Sequence, residues 1–320
     1  MLDVDFETSD IQHVLKQTED FLSESGYTET VLERAEEYLH IVAEDEDGEK
    51  RMIKVAWTPD GMRGLETDVE FSVFVGKQSK DDQPIRVPDG EFTSRGDVAF
   101  AVFDLISTNA FGEDAHPTAT VKRLDKNHFE KIFQALLFLD GFKQNNLSMY
   151  FIGDSGRNSE QAISERFSTL VEGLVEHEAL DEALGGKVET AWGDAALDRA
   201  FQHRDFAPWN MGLDDEKRFV LFDAEASGWG LRCYDIADFY VQTYVRGGEP
   251  ETAKRFLNFV IDRFNEEKRE FAIRKALIAP MLYRLLEAVG EHTIAEREEM
   301  VKLARGLIED LLAQDIQALV

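Results

Sequence analysis

The chain has 320 residues, 43% of them hydrophobic, which is ordinary for a folded protein, excludes bulk disorder and is enough for two lobes of domain size. Sixty-four acidic against 35 basic residues give a formal net charge of −29, which argues against nucleic acid and against anionic membranes as partners. No run reaches the ~18 apolar residues of a membrane helix, and the single Cys233 rules out an intramolecular disulfide.

The acidic opening "MLDVDFETSD" lacks the basic-then-apolar order of a signal peptide, so the protein is expected to be cytoplasmic. The net acidity reads either as a heavily solvated surface or as adaptation to a salty cytoplasm that screens self-repulsion; the halophilic reading is preferred.

In chain order, residues 9–25 form an amphipathic helix, capped by Ser9 and Asp10 and ended by Gly26. Strands follow at "TETVLERA", "EYLHIVAE" and "RMIKVAW", with "EDEDGEK" as a hairpin turn before the third. A helix runs from about Met62 to Lys77, and "DGEFTSRG" leads as a hairpin into the apolar strand "DVAFAVFDLI". "STNAFGEDAHPTAT" reads as a loop-like connector. Helices are then expected at "NHFEKIFQALLFLDGF", "SEQAISERFSTLVEGLVEHEALDEAL" and "VETAWGDAALDRAF". "RFVLFDAE" is a buried strand ending in acids, and the chain from Tyr234 onward is mostly helical, with Pro280 as a kink. The expected architecture is α+β: a small β-rich lobe, 1–106, and a larger helical lobe, 107–320.

The stretch "FQHRDFAPWNMG" sets Asp205 five residues before Asn210, and Asp223 follows Asp205 by eighteen. Phosphoryl transfer needs such groups: an aspartate to orient the attacking hydroxyl and take its proton, and a carboxylate with an amide oxygen to hold Mg²⁺. Strands at "NMGL" and "RFVLF" can pair around "DDEK" and return Asp223 beside Asn210. The alternative is that Asp205 and Asn210 are ordinary turn formers.

"HRDFAPWN" followed by "VLFDAE" resembles the His-x-Asp-x-x-x-x-Asn and Asp-x-Glu signatures of the aminoglycoside phosphotransferase and choline kinase-like family, which shares the two-lobed protein-kinase-like fold. The later "YDIADF" resembles that family's Tyr-Asp-Leu-Ala segment, and the resemblance spans roughly residues 30 to 290. It implies Asp205 as catalytic base, Asn210 and Asp223 as Mg²⁺ ligands, His203 as a brace of the loop and Asp235 as its anchor from the following helix. It implies that Lys54 holds the α- and β-phosphates of ATP and pairs with a helix glutamate, Glu70 or, one turn earlier, Glu66. Strand alternation turns Lys54 away from Ile53 and Val55, and the bland alternative is a solvent-facing lysine. ATP is expected between the lobes, its adenine bonded to main-chain groups near Phe103, Asp104, Leu105 and Ile106, the family's hinge.

Departures from protein kinases are informative. The first strand turn is "ERAEE" and not a glycine-rich loop, "DAE" stands for Asp-Phe-Gly, and no Ala-Pro-Glu follows. Arg204 stands where the family has a glycine. Scattered histidines form no metal pair with Cys233, which reads as a small packed residue, and no Gly-x-Ser-x-Gly is present. Trp209 and Trp229 either stack on a ligand or pack. Phe133, Leu136 and Leu137 fall on one helical face and read as core.

The expected activity is Mg²⁺-dependent transfer of the ATP γ-phosphoryl group to a small-molecule hydroxyl. The alternatives are a nucleotide-binding pseudo-kinase and a protein kinase. Acids at Glu225, Asp235, Asp238, Glu287 and Glu291 suggest a cationic or neutral acceptor, an amino alcohol or aminosugar touching Glu225, or a sugar stacked on Trp209 or Trp229. No obligate protein partner is evident.

Overall fold

The computed structural model describes residues 9–35, 38–77, 84–115, 118–143, 159–195, 197–266 and 272–320. The chain divides into two compact units: residues 1–107 with 222–226, and residues 108–221 with 227–320.

The first unit is built on an antiparallel sheet of β1 (Thr28–Ala35), β2 (Tyr38–Glu44), β3 (Lys50–Ala56), β4 (Gly90–Arg95) and β5 (Val98–Asp104), in the order β1-β2-β3-β5-β4. Of its two helices, α1 (Ser9–Glu24) precedes the sheet in sequence and α2 (Pro59–Lys77) lies between β3 and β4. The expected cap at Ser9 and Asp10 falls outside the described side chains. Period-two alternation sorts the sheet into two apolar faces. Leu39, Ile41, Ile53, Val55, Val98 and Phe100 pack with Val14, Phe21 and Leu22 of α1. The opposite parity, Ala56, Ala99, Ala101 and Phe103, packs with Leu65 and Val69 of α2. Lys54 has that second parity, so it lies on the α2 face.

The second unit opens with short strands inside the expected connector: β6 (Asn109–Ala110), β7 (Gly112–Ala115) and β8 (Thr118–Val121). Its helices begin with α3 (Lys126–Asp140), α4 (Glu160–Glu176) and α5 (Glu182–Gly193). The single helix expected over 159–184 is thus two. Glu178 turns left-handed at φ 58°, Leu180 N–H bonds back to Leu174 O, and Asp181 caps α5 by accepting Leu184 N–H at 2.8 Å. The helix expected through Phe201 stops at Gly193. Residues Arg199–Gln202 form β9, paired antiparallel with β12 (Gly228–Leu231), whose Gly-Trp-Gly sequence carries little strand signal.

Between them lie β10 (Met211–Leu213) and β11 (Phe219–Leu221), which form the expected hairpin around residues 214–217. Gly212 sits so close to β6 that a Cβ would lie 2.8 Å from Asn109 O. The rest is helical, as expected: α6 (Tyr234–Val241), α7 (Pro250–Glu266), the single turn α8 (Ile273–Ala276), α9 (Ile278–Ile294) and α10 (Glu298–Gln314). Pro280 follows the interruption at Leu277 that separates α8 from α9. It occupies the first turn, where its missing N–H has no helical partner to lose. No helix of the described residues is long and apolar enough to cross a membrane.

Candidate active site

The sequence-predicted residues gather in two sets, one in each unit. In the first, Lys54 is 9% exposed and its ammonium donates to three carboxylates: Asp68 Oδ2 at 2.9 Å, Asp223 Oδ1 at 2.5 Å and Glu225 Oε1 at 2.8 Å. Burial alone would discharge a lysine; the three acids reverse that and hold its pKa well above the ordinary value. Phe103 adds a ring 5.8 Å from the ammonium. His40, opposite Lys54 in the β2–β3 register, is kept low in pKa by burial and then by Lys54 itself.

The helix acid on Lys54 is Asp68, not Glu70 or Glu66. It is 4% exposed, and its second oxygen accepts the backbone N–H of Ala224 at 3.0 Å. An aspartate reaches because α2 packs directly on the Lys54 face of the sheet, so a short side chain spans the distance. The family's glutamate habit pointed two residues too far. Asp223 adopts φ 66°, a left-handed conformation for a non-glycine residue, with its side chain on Lys54 and the next N–H, of Ala224, on Asp68.

Glu225, expected to meet the acceptor, spends its carboxylate on Lys54 and on the Tyr38 hydroxyl. Burial, partly offset by Lys54, pushes its carboxyl up to about 7. Of the hinge segment, Asp104 N–H bonds Asp89 O and Leu105 N–H bonds Lys50 O.

In the second unit, β9 delivers the loop 203–207. His203 is fully buried, its ring edge-on to Phe206. Asp235, 1% exposed in the first turn of α6, accepts the N–H groups of His203 and Arg204, both at 2.8 Å. Its burial pushes the carboxyl up to about 7, against those two bonds. Arg204 has φ 70°, which explains why a glycine suits this place in the resembled family and why an arginine here needs Asp235 to hold it. Asp238, counted from sequence among the acids near the acceptor, is buried: it accepts Phe206 N–H at 2.6 Å and Arg284 Nε–H at 2.7 Å, while Arg284 also bonds Glu291. This second brace was missed, although its three-residue spacing from Asp235 on one helix face was a readable signal.

Asp205 and Asn210 meet directly. Asn210 Nδ2 donates to Asp205 Oδ2 at 2.7 Å and to Asp205 O at 3.1 Å. That use of the amide nitrogen leaves Asn210 Oδ1, an oxygen ligand suited to a hard cation. The carboxylates of Asp68, Asp223 and Glu225 likewise offer oxygens within 4.8 Å of one another. Within the first unit these carboxylate donors are all oxygen, the ligand type that suits a hard cation such as Mg²⁺. Trp209 lies under the Arg246 guanidinium, 4.7 Å from its ring centre, and Trp229 is half-buried opposite Phe201 in the β9–β12 pair.

The first unit thus carries a carboxylate-held lysine, and the second a braced loop with an aspartate–asparagine pair. The chain belongs to the family described as "Phosphotransferase enzyme family", whose profile matches residues 108–271. No curated protein matches the sequence. Solved structures share the fold at low identity. Macrolide 2'-phosphotransferase type I matches with TM-score 0.64 and 12% identity over 92% of this chain and 96% of its own. Aminoglycoside phosphotransferase APH(4)-Ia, in a ternary complex with ADP and hygromycin B, matches with TM-score 0.62 and 12% identity over 92% and 97%. The GDP complex of aminoglycoside 2'-phosphotransferase-IIIa matches with TM-score 0.61 and 12% identity over 96% and 99%.

Proposed function

We propose that the protein transfers the γ-phosphoryl group of ATP to a hydroxyl of a small molecule. The observation that carries this reading is the buried Lys54 ammonium bonded to Asp223 at 2.5 Å, a phosphate-holding cation beside an oxygen ligand for a metal. Similar solved structures hold ADP or GDP, which supports a nucleotide as donor. Asp223 and Asn210 would hold Mg²⁺, which supplies charge neutralisation on the phosphates when bound.

Lys54 binds the α- and β-phosphates, replacing one of its carboxylate bonds. The adenine takes the main-chain donor of Ile106, since those of Asp104 and Leu105 are engaged. Asp205 orients the acceptor hydroxyl and takes its proton as the new O–P bond forms and the bond to the departing ADP oxygen breaks. Asn210 fixes the Asp205 carboxylate, and Asp235 with Asp238 fixes the backbone on either side of it. The absence of an Ala-Pro-Glu segment favours a small acceptor over a protein one.

The test is ATP consumption against a panel of hydroxylated acceptors. Asp205→Asn is expected to bind Mg·ATP normally and lose about 10²–10⁴ in kcat. Wild-type turnover in that variant removes the base assignment.

A further inference from the structure

The acids that the sequence placed around the acceptor have partners: Glu225 on Lys54, Asp238 and Glu291 on Arg284, and Glu287 on the Tyr234 hydroxyl at 2.6 Å. Beside the catalytic loop two arginines share a recess with one of these acids. A recess of about 30 Å³ within the second unit is lined by Arg166 of α4, Arg204 of the loop, Gly230 of β12, Tyr234 of α6, and Tyr283 and Glu287 of α9. It shares Arg166, Tyr283 and Glu287 with a wider depression of about 660 Å³, where Glu165 is the added acid.

Arg204 is half-buried, and among the described residues its guanidinium makes no salt bridge. Arg166 bonds the Tyr283 hydroxyl, which holds its side chain at the recess. Glu287 is the recess's own carboxylate; its bond to Tyr234 is already made, and burial raises its pKa. Gly230 lies against Arg204 in the same wall: a Cβ there would lie in ordinary contact, 3.6 Å from Arg204 Cδ. Two guanidinium groups therefore converge on one recess in a chain of net charge −29.

We propose that Arg204 and Arg166 bind an oxyanion of the phosphate acceptor, a carboxylate or a phosphate ester, so that the substrate is a hydroxylated acid. The proposal rests on the phosphotransferase reading above and replaces the cationic acceptor that the acids suggested. Arginine suits the role because its planar fork matches carboxylate and phosphate oxygens in pairs. Arg204 immediately precedes Asp205 in the chain, which ties the recess to the loop that carries the proposed base.

The experiment is calorimetric titration of the whole chain, without nucleotide, with glycerol 3-phosphate, glycerate and choline at one ionic strength. Saturable binding of one or both oxyanions and none of choline is expected, and the two anions separate phosphate from carboxylate recognition. Arg166→Gln, at an exposed position, and Arg204→Gly, which suits φ 70°, are both expected to fold and to weaken oxyanion binding tenfold or more. No oxyanion binding, or binding unchanged in both variants, overturns the proposal. Phosphoryl transfer from Mg·ATP is read separately. Oxyanion binding without transfer to any acceptor supports the recess and overturns the proposed reaction; transfer to choline without oxyanion binding does the reverse.

Discussion

Replacing Asp68 by alanine tests the Lys54 cluster at its least expected member. The substitution removes two buried bonds, to Lys54 Nζ at 2.9 Å and from Ala224 N–H at 3.0 Å. An unsatisfied buried N–H costs about 1–3 kcal/mol, and a hydrogen bond to a charged group contributes about 1.5–3 kcal/mol. Lys54 keeps Asp223 and Glu225, so the full penalty of a stranded charge, about 3–5 kcal/mol, does not apply. A loss of about 3–5 kcal/mol in the first unit is expected, with a KM for ATP raised about tenfold as Lys54 moves toward Asp223. Glu70→Gln, on a partly exposed position of the same helix, is expected to cost under about 1 kcal/mol. Native-state hydrogen exchange reads the effect locally, because the Ala224 amide loses its acceptor. Ala224 protection as in the wild type, or a larger loss in Glu70→Gln than in Asp68→Ala, would refute this reasoning.

Asp235 titrates at about 7 when folded, above the ~3.9 of an unfolded aspartate, so its contribution is fully present below about pH 4 and declines as pH rises through about 7. Asp235→Asn is expected to remove that slope from urea-unfolding stability measured between pH 4 and 8, while leaving one loop N–H facing an amide donor and lowering kcat more than it changes KM; an unchanged slope rejects the titration. Gly212→Ala places a Cβ 2.8 Å from Asn109 O and 2.9 Å from Ala110 Cα, both backbone, and is expected to cost about 1–3 kcal/mol by thermal melting. A normal Tm would mean that β6 yields to β10. With −29 on one chain, Tm is expected to rise as KCl goes from 0.1 M, where screening extends over ~10 Å, to 1 M, where it extends over ~3 Å; a flat or falling Tm removes the halophilic reading.

Local pattern was enough for the first unit. Alternation over "EYLHIVAE" and "RMIKVAW" placed β2 and β3 to within a residue or so, because each strand buries one parity against α1 and the other against α2. The site motifs were legible for a related reason: Asp205, Asn210 and Asp235 act over short chain separations, through bonds that follow from a loop and the first turn of a nearby helix.

Features with distant partners were not legible. β9 is a strand because Gly228–Leu231, more than two dozen residues later, supplies its ladder, and "ALDRAF" by itself has helical composition. β6 exists because Gly212 of β10 lets a second backbone approach. The sequence alone determined which residue types carry the chemistry and in what order, since spacing and side-chain chemistry are properties of the chain. Only the tertiary structure decided that Asp68 meets Lys54, that Glu225 joins it, and that Arg204 and Arg166 share a recess. Those pairings depend on which faces pack together and how far a side chain must reach, and such distances are set by long-range packing of the sheet and helices.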